Sequence, residues 1–337
     1  MAMQLSIDDF LKLRSQLPIV DVRSEGEYHE GHIPSAVNIP ILNNAERIAV
    51  GTDYKQRGQQ EAIKTGFRLV GPRLLDIVNK TEEIGKEILV HCWRGGMRSS
   101  NFCQFVGMAR VQSHQLAGGY KAYRTKAVES YTWPLKLIVI GGCTGSGKSE
   151  ILRALKAQGE QVIDLEQLAL HKGSAFGGLM MPPQPTTEQF QNNLFEEIIT
   201  FDRSKRIWIE DESIAVGKIF LPHGLWTQMN NSPIVEITVN KETRIERLVH
   251  EYGSADKELF LQAMVNITRK LGGQHFNAAK EKLLQNDMAS VIDILLTYYD
   301  KAYLNGLAKK KQRVKNSVPW DGETIDAFAA SLIQAID

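Results

Sequence analysis

Cysteine is scarce in this chain: Cys92, Cys103 and Cys143 are the only three in 337 residues. The count is odd and no two share the close spacing of a metal knuckle. That excludes a disulfide framework and a cysteine-built zinc site, and points to a reducing, cytoplasmic setting. Long apolar runs are missing as well, since no stretch approaches the roughly 20 residues of a membrane span. The first segment, MAMQLSIDDFLKLRSQLP, carries acidic residues early and lacks the basic start and unbroken apolar core of a secretory leader. No membrane partner is expected. Internal repeats and low-complexity tracts are absent. So is an excess of one charge, because 40 Lys and Arg face 39 Asp and Glu for a formal net charge of +1. That near balance hides one local cluster, Lys309, Lys310, Lys311, Arg313 and Lys315, which reads as a solvated face or a nucleic-acid contact.

What is present is ordinary for a globular protein, with 43% hydrophobic and 23% charged residues. The length exceeds what one core usually serves, so two domains are expected. In the first third, 18–22 (PIVDV), 36–39 (AVNI) and 87–91 (EILVH) read as strands separated by helical patterns, which implies a mostly parallel sheet with flanking helices. A polar stretch, 120–133, then leads to Pro134 and a new apolar run, LKLIVI at 135–140. The boundary is placed there, giving domains 1–130 and 131–337. The second region repeats the α/β logic, with a helix from Lys148 and strands near 161–164, 206–209 and 234–239. From about Lys241 the spacing becomes largely helical.

Two loops carry chemistry. In EILVHCWRGGMRSSNF, Cys92 follows a strand directly and precedes a helix expected near Ser99. A loop wound at a helix N-terminus aims backbone N–H groups at one point, and these with Arg94 and Arg98 favour a thiolate. Gly95 and Gly96 suit the tight winding. The second loop, GGCTGSGKS, fits G-x-x-x-x-G-K-[ST] from Gly142 and lies between an apolar strand and a helix. Gly142, Thr144, Gly145, Ser146 and Gly147 bring backbone N–H groups toward a diphosphate, Lys148 neutralises phosphate charge, and Ser149 is placed to ligate Mg2+. Downstream, IWIEDE ends a strand in Glu210 and Asp211, either of which suits a metal or a base role. Arg244, Arg247, Arg269 and Lys270 lie on expected helices after the last strand, as lid arginines or tRNA contacts. Trp93 is placed to stack on an unstacked base, or to pack the loop. Phe176, Leu179, Met180 and Met181 are candidates for an apolar ligand pocket.

Over roughly its first 125 residues the chain resembles the rhodanese family. The resemblance rests on Asp21-Val22-Arg23 with Glu27 and Tyr28, on EGHIPSA at 30–36 with Asn38, Ile39 and Pro40, and on the Cys92 loop. Five residues separate Cys92 from Arg98, one more than in common rhodaneses. The longer loop implies a wider cradle, and that spacing is also associated with phosphatases of the wider superfamily. A rhodanese-like domain followed by a P-loop domain is similar to the tRNA 2-selenouridine synthase family. Further residues carry this likeness: HKGSAFG at 171–177, EDES at 210–213 and RKLGGQ at 269–274, with His171 a phosphate or tRNA contact. The resemblance implies exchange of sulfur for selenium at wobble 2-thiouridine of tRNA, through an S-geranyl intermediate. Geranyl diphosphate and selenophosphate would be co-substrates, the latter supplied by a selenophosphate synthetase, with no firm cofactor beyond a Mg2+ option. Two alternatives stay open: a P-loop kinase with an accessory rhodanese module, and a tRNA- or nucleotide-binding regulatory protein.

Overall fold

The computed structural model describes residues 3–322 and 324–336. The chain divides into two compact units, Met1–Ser130 with Gln191–Glu196, and Tyr131–Phe190 with Glu197–Asp337. The first holds five strands: β1 (Met3–Leu5), β2 (Ile19–Asp21), β3 (Val37–Asn38), β4 (Glu87–His91) and β5 (Gln112–Leu116). They form one parallel sheet in the order β1-β5-β4-β2-β3. Ile88 to His91 of β4 are buried in succession, without alternation, as expected of a strand covered on both faces. Val20, Ile88 and Val90 pack with Ile77 of helix Leu74–Ile84 and with Phe102, Cys103 and Val106 of helix Met97–Met108.

Local sequence explains where the helices begin. Asn43 caps helix Asn44–Arg57 by accepting from the Glu46 N–H at 2.9 Å, while Glu46 accepts from the Asn43 N–H at 2.8 Å, a reciprocal capping box. At helix Glu25–Glu30, the Glu27 carboxylate likewise accepts from the Ser24 N–H at 3.1 Å. β1 and β5 fall outside the strands expected from sequence. β5 reads QSHQL, too polar to announce itself, yet Ser113 and Gln115 are buried. The polar stretch after Gly118 is mostly helix, Gly119–Ser130.

The second unit holds β6 (Lys136–Gly142), β7 (Gln161–Ile163), β8 (Arg206–Glu210), a short antiparallel pair β9 (Ala215–Val216) and β10 (Ile219–Phe220), β11 (Ile234–Thr238) and β12 (Val314–Pro319). The main sheet is parallel in the order β12-β11-β6-β8-β7. Chain order reverses around β6, so its carboxyl end opens at the switch point where such sheets bind ligands. Ile140, Trp208 and Val235 pack against Ile151 and Leu155 of helix Lys148–Ala157 and Phe328 and Leu332 of helix Ile325–Ala335. A second apolar cluster joins Phe176 to Tyr252, Phe260, Met264 and Leu296. The helical pattern expected from Lys241 corrects near the end, where β12 returns to the sheet edge. Its residues alternate half-buried with exposed, the signature of an edge strand. Among the described residues no helix is long and apolar enough to cross a membrane.

One buried ion pair fixes the start of the first sheet. Arg23 donates to Asp21 at 2.6 Å and 3.0 Å and to the Gly31 carbonyl at 2.7 Å, with its guanidinium 3.8 Å from the centre of the Tyr120 ring. Both side chains of the pair are fully buried. Replacing Arg23 by Leu leaves a lone buried carboxylate and is expected to destabilise the unit by about 3–5 kcal/mol. Asp21→Leu/Arg23→Leu should lose less. Amide exchange of β2 and β4 across a urea series checks both.

Candidate active site

At the carboxyl end of β4 the chain turns through Trp93 to Gly96 into helix Met97–Met108. Gly95 takes φ 66°, and a Cβ there would meet the Leu116 carbonyl at 2.7 Å, so the turn requires glycine. Cys92 is 3% exposed, and its Sγ lies 3.1 Å from the Ser99 hydroxyl, which donates to it. Gln115 of β5 donates to the Ser99 oxygen at 2.9 Å and to the Gly95 carbonyl at 2.7 Å. Burial alone would raise the Cys92 thiol. The Ser99 hydroxyl, the backbone N–H groups of Ser99 and Arg94, and the Arg98 charge outweigh it and hold the thiol below its ordinary value. Burial pushes the Cys103 and Cys143 thiols up instead.

Arg98 is not free. Its guanidinium forms a two-pronged pair with Glu27, at 2.6 Å and 3.1 Å, and Glu27 is itself fixed by its cap bond to Ser24. Arg94 is exposed, and Trp93 is half-buried with its ring centre 5.6 Å from that of Tyr120. The loop therefore offers converging N–H groups, a thiolate-favouring sulfur and a neutralised arginine: a cradle for an anion beside a nucleophile.

The second loop follows β6. Gly142, Gly145 and Gly147 have φ of 157°, 81° and 78°, and helix Lys148–Ala157 starts immediately afterwards. Lys148 Nζ donates to the Gly142 carbonyl at 2.9 Å, and the Ser149 hydroxyl donates to Glu166 at 2.7 Å. Ser146 is fully buried and its hydroxyl has no partner among the described residues. Arg244 grips Asp300 at 2.7 Å and 2.8 Å and donates to the Thr144 carbonyl at 3.2 Å, bracing the loop from behind. The Arg247 guanidinium lies 3.8 Å from the centre of the Trp320 ring, and its Nη1 is buried without a partner among the described residues. A Cβ on Gly147 would meet that nitrogen at 3.0 Å, so this guanidinium sits against the phosphate loop.

Acids gather on the other side. Glu210, fully buried, accepts from the Leu165 N–H at 2.7 Å, and burial together with the charges of Asp164 and Glu166 pushes its carboxyl far up. Burial and the Glu166 charge raise Glu212 to about 7, against the opposing pull of Lys148. Both Glu212 and Glu166 reach within about 3 Å of where a Gly173 Cβ would stand.

Comparison with known proteins fits both loops. Residues 6–126 match the rhodanese-like domain family, and residues 135–331 match the tRNA 2-selenouridine synthase AAA domain. Curated proteins named tRNA 2-selenouridine synthase are similar along nearly the whole chain. That of Nitrosomonas europaea is 30% identical, covering 91% of this chain and 94% of its own. That of Shewanella denitrificans is 32% identical over 90% and 91%, and that of Bdellovibrio bacteriovorus 33% over 88% and 90%. The chain belongs to the tRNA 2-selenouridine synthase family.

Within this synthase-family framework, the structure brings Cys92, Arg94 and Arg98 together in the first unit. In the second it gathers the loop 142–149 with Arg244 and Arg247. Other expected contacts fall elsewhere. Asp211 pairs with Lys310 at 2.7 Å, which takes that lysine out of the basic run. Arg313 of the same run donates to the Ser232 carbonyl at 2.9 Å, leaving Lys309, Lys311 and Lys315 exposed. Arg269 and Lys270 are exposed in the last turn of helix Lys257–Leu271, where cations suit the helix dipole. His171 packs against Gly177, Gly178 and Gly217, and burial lowers its pKa, disfavouring the charged ring. Of the residues expected to form an apolar pocket, Phe176 is spent in the helical core, 4.7 Å from the Phe260 ring, whereas Met180 is exposed. Sequence reading missed Ser99 as the sulfur's donor, Gln115 behind it, and Glu166 beside Ser149. The helix-start position of Ser99 was the available signal for the first, and the others have none.

Two measurements test this electrostatics. Ser99→Ala should raise the pH at which Cys92 becomes alkylatable by iodoacetamide, the other two thiols being slower. An unchanged profile would mean the backbone N–H groups and Arg98 suffice. For Glu212, the raised pKa means the folded state holds a proton that the unfolded state releases. Its contribution is fully present below the unfolded value and falls as pH rises toward about 7. Glu212→Gln should therefore flatten the stability profile between about pH 4.5 and 7, as read by urea unfolding at each pH.

Proposed function

We propose that this protein is a tRNA-modifying transferase that replaces the sulfur of wobble 2-thiouridine by selenium, through S-geranyl-2-thiouridine. The observation that carries this reading is the pairing, in one chain of this family, of an activated cysteine cradle with a complete phosphate loop. A thiocarbonyl sulfur leaves poorly. Attack of that sulfur on C1 of geranyl diphosphate breaks the C1–O bond, releases diphosphate and loses the N3 proton of the base. The product is a thioether on an electrophilic C2. Selenium from selenophosphate then adds at C2, the C2–S bond breaks, geranylthiolate departs, and water cleaves Se–P to release phosphate and leave 2-selenouridine.

In this scheme the loop from Gly142 to Ser149 holds the diphosphate. Lys148, the N–H groups of the helix start and the unpartnered Arg247 nitrogen meet the charge that grows as it departs. Ser149 and Glu166 supply hard oxygen donors that would hold a Mg2+ together with the diphosphate oxygens, and the ion would stabilise leaving-group charge. Cys92 and its loop receive selenophosphate or carry its selenium, with exposed Arg94 available to the anion. The exposed Lys309, Lys311 and Lys315, with Arg269 and Lys270, would meet the tRNA backbone. Glu212, poised near neutrality, is suited to accept the N3 proton.

Mass spectrometry of wobble nucleosides tests the reading. The full chain with 2-thiouridine tRNA and geranyl diphosphate should give the S-geranyl nucleoside, and adding selenophosphate should give 2-selenouridine. Lys148→Ala should slow the first step by about 10²–10³. Cys92→Ser should stop at the S-geranyl product. No mass change with the unaltered protein would instead favour the P-loop kinase reading.

A further inference from the structure

The first unit contains an apolar cleft enclosing about 160 Å³. Ile41, Val50, Ile63, Phe67, Val70 and Phe105 form its walls, and Arg98 is the one charged residue lining it among the described residues. Met97 and Arg98 belong both to this lining and to the start of the helix whose N-terminus faces the Cys92 sulfur. The cleft therefore opens beside the proposed selenium site. Its volume is of the order of the apolar cavity, about 150 Å³, that holds a benzene-sized hydrocarbon. Tyr54 and Phe67 stand at its rim, 59% and 58% exposed, so a longer chain has apolar surface on which to continue.

Between these large side chains the lining includes two small residues, in a pattern that helix stability alone does not ask for. Ala62 and Gly66 lie four apart on helix Gln59–Val70 and face the cleft together. Glycine weakens a helix interior, and a Cβ added at Gly66 would meet nothing within 4 Å. The missing side chain leaves room. An apolar wall that reaches the Cys92 loop at the Glu27-paired Arg98 suits an amphipathic ligand with hydrocarbon in the cleft and a polar group at the loop.

We propose that this cleft takes a geranyl chain, an inference that rests on the function given above. The same C10 hydrocarbon reaches the protein from two sources, geranyl diphosphate and the S-geranyl nucleoside of the tRNA. The second would present its thioether beside Cys92 as the geranylthiolate departs.

Gly66→Leu fills the cleft while improving helix propensity, and Gly107→Leu, the same change at an exposed helical glycine outside the lining, is its control. Each is assayed in two arms: 2-thiouridine tRNA with geranyl diphosphate, and S-geranyl tRNA made by the unaltered protein, with selenophosphate. Gly66→Leu should slow at least one arm by about tenfold or more, with a raised KM for the geranyl-bearing partner, while Gly107→Leu stays near the unaltered rate. Loss confined to the first arm assigns the cleft to the donor, and with it moves the diphosphate from the loop 142–149 to the Cys92 loop. Loss in the second assigns it to the nucleoside. Unaltered rates in both arms for Gly66→Leu overturn the proposal. Photo-crosslinking of the unaltered protein with a diazirine-bearing prenyl diphosphate and a diazirine-bearing S-prenyl-2-thiouridine tRNA keeps the test open should Gly66→Leu fail to fold. Label on the peptides of Ile63, Phe67 and Phe105 from either probe supports the cleft, and label from both confined to other peptides overturns it. If the unaltered protein yields neither product, the function fails, and the labelling still decides whether the cleft binds a prenyl chain.

Discussion

Offsetting the cost that burial puts on a charged sulfur is the constraint around which the first unit is arranged. Burial opposes the charged form, so each compensating group must be placed accurately and must itself be satisfied. Ser99 donates to Cys92 only in an orientation that Gln115 supports from the neighbouring strand. Arg98 lends its charge while bound to Glu27, and Glu27 is held by the N–H of Ser24 at the start of its own helix. Parallel pairing of β4 with β5 and β2 brings these contributors to one end of the sheet. An antiparallel neighbour would have sent its own end away from the sulfur.

The second unit faces a related problem with a charge of the same sign. On the function proposed above, its loop draws a polyanion while acids crowd one flank. Much of that acidity is disarmed: Glu210 is driven toward its neutral form, and Asp211 is paired with Lys310. Cations divide by role in the same way. Arg244 is spent on Asp300 and the loop carbonyl of Thr144, so it shapes the loop, whereas Arg247 lies on Trp320 with a nitrogen unclaimed. Two arginines three residues apart on one helix thus serve different ends, and spacing alone gives them the same reading.

Legibility in the sequence followed the nature of each signal. The Cys92 loop and the phosphate loop are contiguous, glycine-punctuated and preceded by buried apolar strands, so both were readable before any coordinates. β5 was not, because its polar residues are buried by bonds to the Cys92 loop and its surroundings, which no local pattern encodes. β12 escaped for a different reason, since an edge strand of alternating character sits at the end of a long helical region and shares residues with the basic run. That run read as a uniform patch, yet Lys310 and Arg313 are committed to the fold. Long-range partners decide such cases, and the sequence holds only one half of each pair.

A neutralised arginine in the cysteine cradle has a chemical consequence. Because Glu27 already answers the Arg98 charge, an incoming anion meets mainly backbone dipoles and the exposed Arg94, not a bare guanidinium. Dipoles fixed by a wound loop favour an anion by shape more than by total charge. The same pairing benefits the adjoining apolar cleft, since an unpaired cation at its wall would hold water against the hydrocarbon. The Glu27–Arg98 pair therefore leaves the stabilisation of the sulfur mainly to the Ser99 hydroxyl and the loop N–H groups, and removes an unpaired charge from the apolar wall.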